Sequence, residues 1–329
     1  MPSLLVCGAI NWDTSCFVEQ MPVPGEEVII KHITRVSGGT GGNVAVAAAR
    51  ILGAGEVTLI GALGEDDIAR QQIAALNAEG VITDGVIHIS GEESGQAYIL
   101  VDRKGQNVIA SFLGANARLC LEYINKAYIK QQLQECHAIV LTDPSLELAT
   151  ELIKLAKGRG IPVLWDPGIL ISPNRDLLQS LALQVDVLFL NETEAAALLG
   201  AGELDENVQR LRSLGFRNYT VLKLGAQGAV ILEPDTVMIV EVPALPLREL
   251  GMGVINTVGC GDVFAGAFAA YRALGDDIQK SFIKASAAAG LNATRPETRG
   301  CPERASIEEI EQRSHELGFT VRERKLFGN

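Results

Sequence analysis

The segment Asn256-Thr257-Val258-Gly259-Cys260-Gly261-Asp262 leads into a helix-prone run, Val263–Leu274. Gly259 and Gly261 flank Cys260, so backbone N–H groups can be presented at a helix N-terminus. Such a site suits an anion, above all one that gains charge during reaction. Asp262 stands at its lip. A carboxylate is a poor partner for a bound phosphate, which points to a different job: accepting a proton from a hydroxyl nucleophile. The spacing alone also allows a plain helix cap. A second cluster, Gly38-Gly39-Thr40-Gly41-Gly42-Asn43, precedes the alanine-rich run Val44–Leu52. Glycines at this density let backbone approach a ligand, and Asn43 adds a side-chain amide; a flexible turn with a helix cap is the local alternative. Neither cluster has GxGxxG spacing, and GxxxxGK[ST] is absent from the chain.

These residues need elements to hold them. Leu4–Ile10, Val57–Ala62, Ala138–Thr142, Pro162–Trp165, Val185–Leu190, Val221–Lys223 and Ala229–Glu233 read as short buried strands. Between them Asp66–Glu79, Leu146–Lys157 and Glu192–Leu199 have helical spacing. That alternation predicts an α/β fold with a doubly wound, mostly parallel central sheet and helices on both faces. Two stretches break the rhythm. Glu27–Val36 is strand-like without a following helix, and Gln96–Phe112 reads as a hairpin turning at Asp102-Arg103-Lys104-Gly105. They predict a small β-sheet lid, approximately residues 14–36 and 96–112, on one large domain spanning 1–329.

The chain has 329 residues, 47% of them hydrophobic and 21% charged, with a formal net charge of −12. This is globular composition. The acidic balance argues against a nucleic-acid or anionic-membrane partner. No apolar stretch is long enough to span a membrane, and Met1–Ile10 lacks a basic start, so a cytoplasmic protein is expected. The six cysteines and four histidines show no metal spacing. Asn191-Glu192-Thr193 fits a glycosylation sequon, which needs another explanation in such a chain.

Taken together, Gly38–Asn43 resembles the N-terminal signature of the ribokinase-like (PfkB) carbohydrate kinases, and Asn256–Asp262 resembles their C-terminal D-T-x-G-A-G-D signature. Asn11 and Asp13, Asn191-Glu192-Thr193-Glu194, Lys223-Leu224-Gly225-Ala226-Gln227-Gly228 and Ala287–Arg295 follow the family order, so the resemblance covers nearly the whole chain. It implies an ATP- and magnesium-dependent phosphotransferase acting on a primary hydroxyl of a sugar or nucleoside. Asp262 would be the base, with Gly259, Cys260 and Gly261 as the anion hole. Asn11, Asp13, Gly38, Gly39, Asn43 and Asp143 would meet the acceptor. Asn191, Lys223, Gly225, Gly228, Ser286, Ala289 and Asn292, with the loop Thr294–Gly300, would meet the nucleotide. Glu194 would serve magnesium through water, and Asp166 would face the same crevice as Asp143.

The chain departs from the pattern at Asn256, where relatives carry an aspartate that helps hold a monovalent cation. Asparagine keeps a carbonyl but loses the charge, which puts potassium activation in question. A nucleophilic Cys260 is unnecessary, since phosphoryl transfer needs no protein nucleophile. Arg35 and Arg103 on the lid are the basic residues available for a phosphorylated acceptor. Trp12 would stack on a base only if it shared a face with Asp13, which an extended segment forbids. The resemblance also implies a homodimer through the lid. The competing class is a non-catalytic sugar or nucleotide sensor, which has no need to keep Asp262, the glycine hole and Glu194 together. A nicotinamide-dependent dehydrogenase is disfavoured by the missing GxGxxG.

Overall fold

The computed structural model describes residues 3–325 except 123, 125, 135, 169–174, 235, 237 and 298. In chain order the elements are β1 (Leu4–Gly8), β2 (Asn11–Val18), β3 (Ile30–Gly38), α1 (Thr40–Leu52), β4 (Val57–Leu63), α2 (Asp67–Ala78), β5 (Ile82–His88), β6 (Gly95–Val101) and β7 (Asn107–Phe112). There follow α3 (Lys126–Gln132), β8 (Ala138–Thr142), α4 (Leu146–Lys157), β9 (Val163–Asp166), α5 (Arg175–Ala182), β10 (Val187–Asn191), α6 (Glu192–Leu199) and α7 (Leu204–Ser213). The last are β11 (Tyr219–Lys223), β12 (Ala229–Leu232), β13 (Met238–Val242), α8 (Cys260–Ala273), α9 (Ile278–Ala293), α10 (Arg304–His315) and β14 (Arg322–Lys325).

A ten-stranded sheet runs β14-β13-β12-β11-β10-β9-β8-β1-β4-β5. It is parallel from β11 to β5 and antiparallel from β11 to β14. Strand alternation splits the core into two layers. Leu4 and Val6 of β1 and Ala138 and Val140 of β8 pack with α1, α8 and α9. Leu5, Cys7, Ile139 and Leu141 face the layer of α4–α7. Strands apolar on both faces are what a sheet covered on both sides requires. The chain leaves β1 toward β4 and returns at β8, so the carboxyl ends of β1 and β8 flank a topological switch point, where open α/β sheets leave a crevice.

The second, four-stranded sheet is ordered β3-β2-β6-β7. The expected hairpin forms, with Gln96 opposite Phe112 and Val101 opposite Asn107. The first strand ends at Gly8 rather than Ile10, and Asn11–Val18 is a strand of its own in the small sheet, antiparallel to β3 and parallel to β6. Its mixed polar side chains hid it: half its residues face a sheet surface that is not core.

The glycine-rich cluster also differs from expectation. Helix α1 starts at Thr40, so Gly41, Gly42 and Asn43 lie in its first turn rather than in a loop. Gly41 is there because a Cβ would come within 2.5 Å of the Gly8 backbone. Gly39, at φ 87°, supplies the left-handed turn into the helix. Further on, α1 and α8 touch through Gly266, where a Cβ would lie 2.5 Å from the Val44 carbonyl oxygen. Backbone there has no room to give. Gly266→Ala is expected to cost about 1–3 kcal/mol, the scale of overpacking a filled core. In urea this reads as a lower unfolding midpoint with an unchanged slope; an unchanged midpoint would refute the tight α1–α8 contact.

Candidate functional site

The parallel strands deliver their last residues to one crevice. Register places Asp166 beside Thr142 and Asn191 beside Lys223. Asp143 follows β8 at φ 53°, the left-handed region unusual for a residue with a side chain. Its carboxylate accepts a hydrogen bond from Thr40 Oγ1 at Oδ2 (3.0 Å), while Oδ1 is buried without a partner. Gly168 leaves room for that oxygen, since a Cβ would stand 2.0 Å from it. Across the crevice, Lys223 Nζ donates to Asp166 Oδ2 at 2.5 Å. The same ammonium lies close over Gly261, 3.2 Å from where a Cβ would be.

Gly259 sits at φ 79° and turns the chain into α8. The first i→i−4 bond of α8 runs from Val263 N to Gly259 O, so the amides of Gly261 and Asp262 lie ahead of it as helix-end donors. Cys260 N is spent on Thr257 O at 3.3 Å. Of the expected anion-hole residues, then, Gly261 has its amide at the helix end beside that of Asp262, and Gly259 shapes the turn. Burial pushes the Cys260 thiol up to about 11, which removes it as a nucleophile at neutral pH.

Asp262 projects from the first turn of α8 toward the first turn of α1. Asn43 Nδ2 donates to its Oδ2 at 2.8 Å. Burial raises the Asp262 pKa to about 7, with Asp166 and Asp13 adding to the rise and the Asn43 amide and Lys223 opposing it. Asp143 also rises to about 7, first by burial and then through Asp166. Glu194 is shifted upward by burial and Asp166. For Lys223, burial works against the charge, but Asp166 and Glu194 outweigh it and the pKa rises.

The acceptor-side expectations separate here. Asp13 is 4% exposed, and its carboxylate occupies the space a Cβ on Gly38 would need, 2.0 Å from Oδ2. Gly38, Gly39, Asn43 and Asp13 therefore come together near Asp262. Asn11 does not join them, because its side-chain oxygen accepts from Asn116 Nδ2 at 2.9 Å. Trp12 alternates away from Asp13 along β2. Arg103 pairs with Glu19 at the surface, 3.0 Å away, and Arg35 is exposed on β3, so neither points into the crevice.

On the nucleotide side, Gly225 (φ 56°) has open space at its Cβ position, whereas Gly228 is required by the backbone of Val242, 2.1 Å away. Asn191 and Glu194 form a capping box on α6: Glu194 N donates to Asn191 Oδ1 at 2.8 Å and Asn191 N to Glu194 Oε2 at 2.7 Å. This explains the apparent sequon. Ser286 is turned inward, donating to Pro243 O at 3.2 Å, and Ala289 is half-buried on α9. Asn292 is fully buried and donates to Val258 O at 3.3 Å, tying α9 to the loop before α8. Ser286 is spent on a backbone carbonyl, which corrects the expectation that it presents its side chain to a ligand, whereas Asn292 gives Nδ2 to Val258 O and Cys260 Sγ and keeps a buried Oδ1 with no partner among the described residues.

Oxygen donors suited to magnesium face the crevice from Glu194, Asp143 and Asp166, and the orphaned Asp143 Oδ1 fits such a demand. Among the described residues no three acidic, cysteine or histidine groups are close enough to hold a metal by themselves. A monovalent cation fits poorly. Asn256 Oδ1 accepts from Val258 N and its Nδ2 donates to Pro296 O, both at 3.0 Å. With Asn292 Nδ2 on Val258 O, two amide groups aim N–H at backbone carbonyls of the loops before α8 and after α9.

Sequence reasoning missed two residues. Thr40 links α1 to Asp143. Arg299, assigned with its loop to the nucleotide, instead reaches the glycine-rich turn, donating to Gly38 O at 2.8 Å and Ser37 Oγ at 2.6 Å. Thr298 of that loop lies outside the described residues. No helix among the described residues is long and apolar enough to cross a membrane.

The description "pfkB family carbohydrate kinase" matches residues 1–305. The chain belongs to that family. Among curated proteins it is 29% identical over 298 residues to the bifunctional ribokinase/ribose-5-phosphate isomerase A of Fructilactobacillus sanfranciscensis, 88% of this chain and 52% of that protein, so it spans about half of that relative. It is 28% identical over 303 residues to the ATP-dependent ribose-1-phosphate kinase of Halopiger xanaduensis, 92% of this chain and 95% of that one. The solved structure of Arabidopsis thaliana ribokinase complexed with ribose and ATP superposes with a TM-score of 0.81 at 26% identity, covering 94% of this chain and 99% of that one. The pfkB member described here is a carbohydrate or nucleoside kinase with the family's large, mostly parallel sheet and separate small sheet.

The raised Asp262 pKa makes a stability prediction. Between its solution value of 3.8 and about 7 the native state holds the proton that the unfolded state has lost. Stability therefore falls as pH rises across that window, and the loss is complete above about 7. Asp262→Asn removes the titration and keeps an acceptor for Asn43. Its melting temperature is expected to exceed that of the native chain at pH 8, with the gap closing toward pH 4. A gap that is reversed or independent of pH would contradict the buried-carboxylate reading.

Proposed function

We propose that this kinase transfers the terminal phosphoryl group of ATP to a primary hydroxyl of a sugar or nucleoside, with Asp262 as the base. The carrying observation is the Asp262 carboxylate in the first turn of α8, held by Asn43 on one oxygen, beside the amides of Gly261 and Asp262 and the Lys223 ammonium. The acceptor hydroxyl gives its proton to Asp262 as its oxygen bonds the phosphorus, and the bond from that phosphorus to the bridging oxygen breaks to release ADP. The two amides and Lys223 stabilise the charge on the phosphoryl oxygens. Asp13 accepts sugar hydroxyls through charge-assisted hydrogen bonds, with Gly38 and Gly39 leaving room. Gly225 lies along the nucleotide. Magnesium, when bound, neutralises phosphate charge; Glu194 holds it through water, with Asp143 and Asp166 ordering that water. The ribose and ATP named for the Arabidopsis structure and the ATP dependence of the Halopiger relative support this reading.

The whole chain acts as one kinase unit in this proposal, with residues 14–36 and 96–112 closing over the acceptor and excluding water. The small sheet is also the proposed dimer surface. Its edge strand β7 is exposed along its full length, and Tyr98, Val108, Ile109 and Phe112 expose apolar area there.

A screen of sugars and nucleosides against ATP, ADP and GTP tests the reaction. At least one acceptor should be phosphorylated, and Asp262→Asn should slow turnover by about 10²–10⁴-fold, the range for a general base, without loss of fold. Turnover near the native rate in that variant, or no phosphorylated acceptor despite tight ligand binding, would overturn the proposal. The amide-closed Asn256 site leads to a further expectation: turnover in potassium and in choline salts of equal ionic strength agrees within about twofold, a difference of less than about 0.5 kcal/mol. Strong, selective activation by potassium would show that the amides of Asn256 and Asn292 do not close the site.

A further inference from the structure

Arg299 is the buried charge that the proposed chemistry leaves unused. It is 8% exposed, and no carboxylate lies within ion-pair distance of it among the described residues. Burial pulls its pKa down to about 10, with Asp13, Glu79 and Asp262 supporting the charge, so it is a cation at neutral pH. Burying a guanidinium without an ion pair is costly, so its hydrogen bonds must serve a purpose that a smaller residue cannot. Space is kept for it: a Cβ on Gly42 would stand 2.3 Å from Nη2. Its Nη1 donates to Ser37 Oγ and its Nη2 to Gly38 O. Ser37 in turn donates to Gln72 Oε1 of α2. The remaining bond runs from Nε to Asn43 Oδ1 at 3.3 Å.

We propose that Arg299 is a positioning residue that fixes the orientation of the Asn43 amide and, through it, the carboxylate of Asp262. The inference rests on Asp262 being the base. The two ends of an asparagine amide have nearly the same shape and opposite hydrogen-bonding roles. Arginine can only donate, and an ionised carboxylate can only accept. Asn43 lies between them, and both neighbours demand the same orientation: oxygen toward Arg299 and nitrogen toward Asp262. Without Arg299, Asn43 is held from one side only and can turn its oxygen toward Asp262, where it repels the carboxylate. With Arg299 in place, Oδ2 of Asp262 is always capped, which leaves Oδ1 for the acceptor hydroxyl. Pinning the loop after α9 accounts for the bonds to Ser37 and Gly38, but not for a donor aimed at the residue whose amide donates to Asp262.

The charges that face Asp262 come from Asp13 on β2, Asp143 after β8, Asp166 on β9, Lys223 on β11 and Arg299 itself. Most are acidic, so losing the Arg299 cation and the fixed amide both favour protonated Asp262. Arg299→Met is therefore expected to lower kcat by up to about 100-fold, the effect of a misplaced catalytic group. It should also move the acidic limb of the kcat/KM profile to higher pH by about one unit. Asn43→Ala should do the same. Because the two residues act in series, Arg299→Met combined with Asn43→Ala should be no slower than the slower single variant, instead of showing the product of their effects.

Native-like melting confirms that each variant folds. Should Arg299→Met fail that check, Arg299→Gln carries the same pH and additivity measurements. A folded variant whose acidic limb stays in place, or a double variant showing the full product, overturns the positioning role. Asp262→Asn separates the two failures. If it turns over normally, the base assignment is wrong; if it is inactive while the Arg299 variants keep the native pH profile, only this inference falls.

Discussion

The arrangement depends on crowding like charges where water is scarce. Asp143, Asp166 and Asp262 approach one another at the strand ends, with Asp13 and Glu194 behind them, and Lys223 is the ammonium placed among them. Burial is the first cause of the rise of Asp143 and Asp262 to about 7, and in that medium of reduced dielectric each neighbouring carboxylate adds to the cost of ionising the next. A base near neutrality is the useful outcome, since a weaker carboxylate base would gain little from the proton it takes. The same crowding selects for incoming positive charge. With an overall charge of −12 and an acidic crevice, the proposed reaction would receive phosphate on backbone amides, Lys223 and a divalent ion rather than on a basic surface.

Two helix N-termini meet at this cluster, and close packing brings them there. Helices α1 and α8 approach through Gly266, and α1 lies against β1 through Gly41 and Gly8. Larger residues at these positions would push Asn43 away from Asp262, since the 2.8 Å bond between them spans the gap between the two helices. The glycines in the first turn of α1 therefore serve distance, whereas Gly39, just before it, uses its conformational freedom.

What was legible in the sequence follows from how local each signal is. Strands β1, β4 and β8 are buried on both faces, so their apolar runs are continuous and readable. The strand β14 reads Arg-Glu-Arg-Lys and gives no apolar cue; it exists because β13 offers an edge. Asp262 was legible because glycine, cysteine and glycine precede it at a helix start. Asn191 and Glu194 were legible as a pair, three residues apart, though the spacing does not distinguish a phosphate site from the capping box they form. The contact of Arg299 was not legible, because its partner Asn43 is 256 residues away and no periodicity in the intervening chain signals it. For Ser286 and Asn292 on α9, the direction of the side chains depends on carbonyls of Pro243 and Val258 that only the tertiary structure brings near.

The loop behind the anion hole shows how neutral groups can take over work that a charge would do. Segment 256–260 must hold Gly259 in the left-handed turn so that the Gly261 and Asp262 amides project into the crevice. Asn256 holds it from within, accepting from Val258 N and donating to Pro296 O, and Asn292 holds it from α9 by donating to Val258 O. A carboxylate at position 256 could accept from Val258 N but could not donate to Pro296 O. It would also add a negative charge to a crevice where Asp143 and Asp262 already resist ionisation, and would call for a cation to offset it. Two amides avoid both costs. Because α9 supplies Asn292 and the chain running out of α9 supplies Arg299, the same C-terminal region braces the loop before α8 and, across the crevice, Asn43, which donates to Asp262.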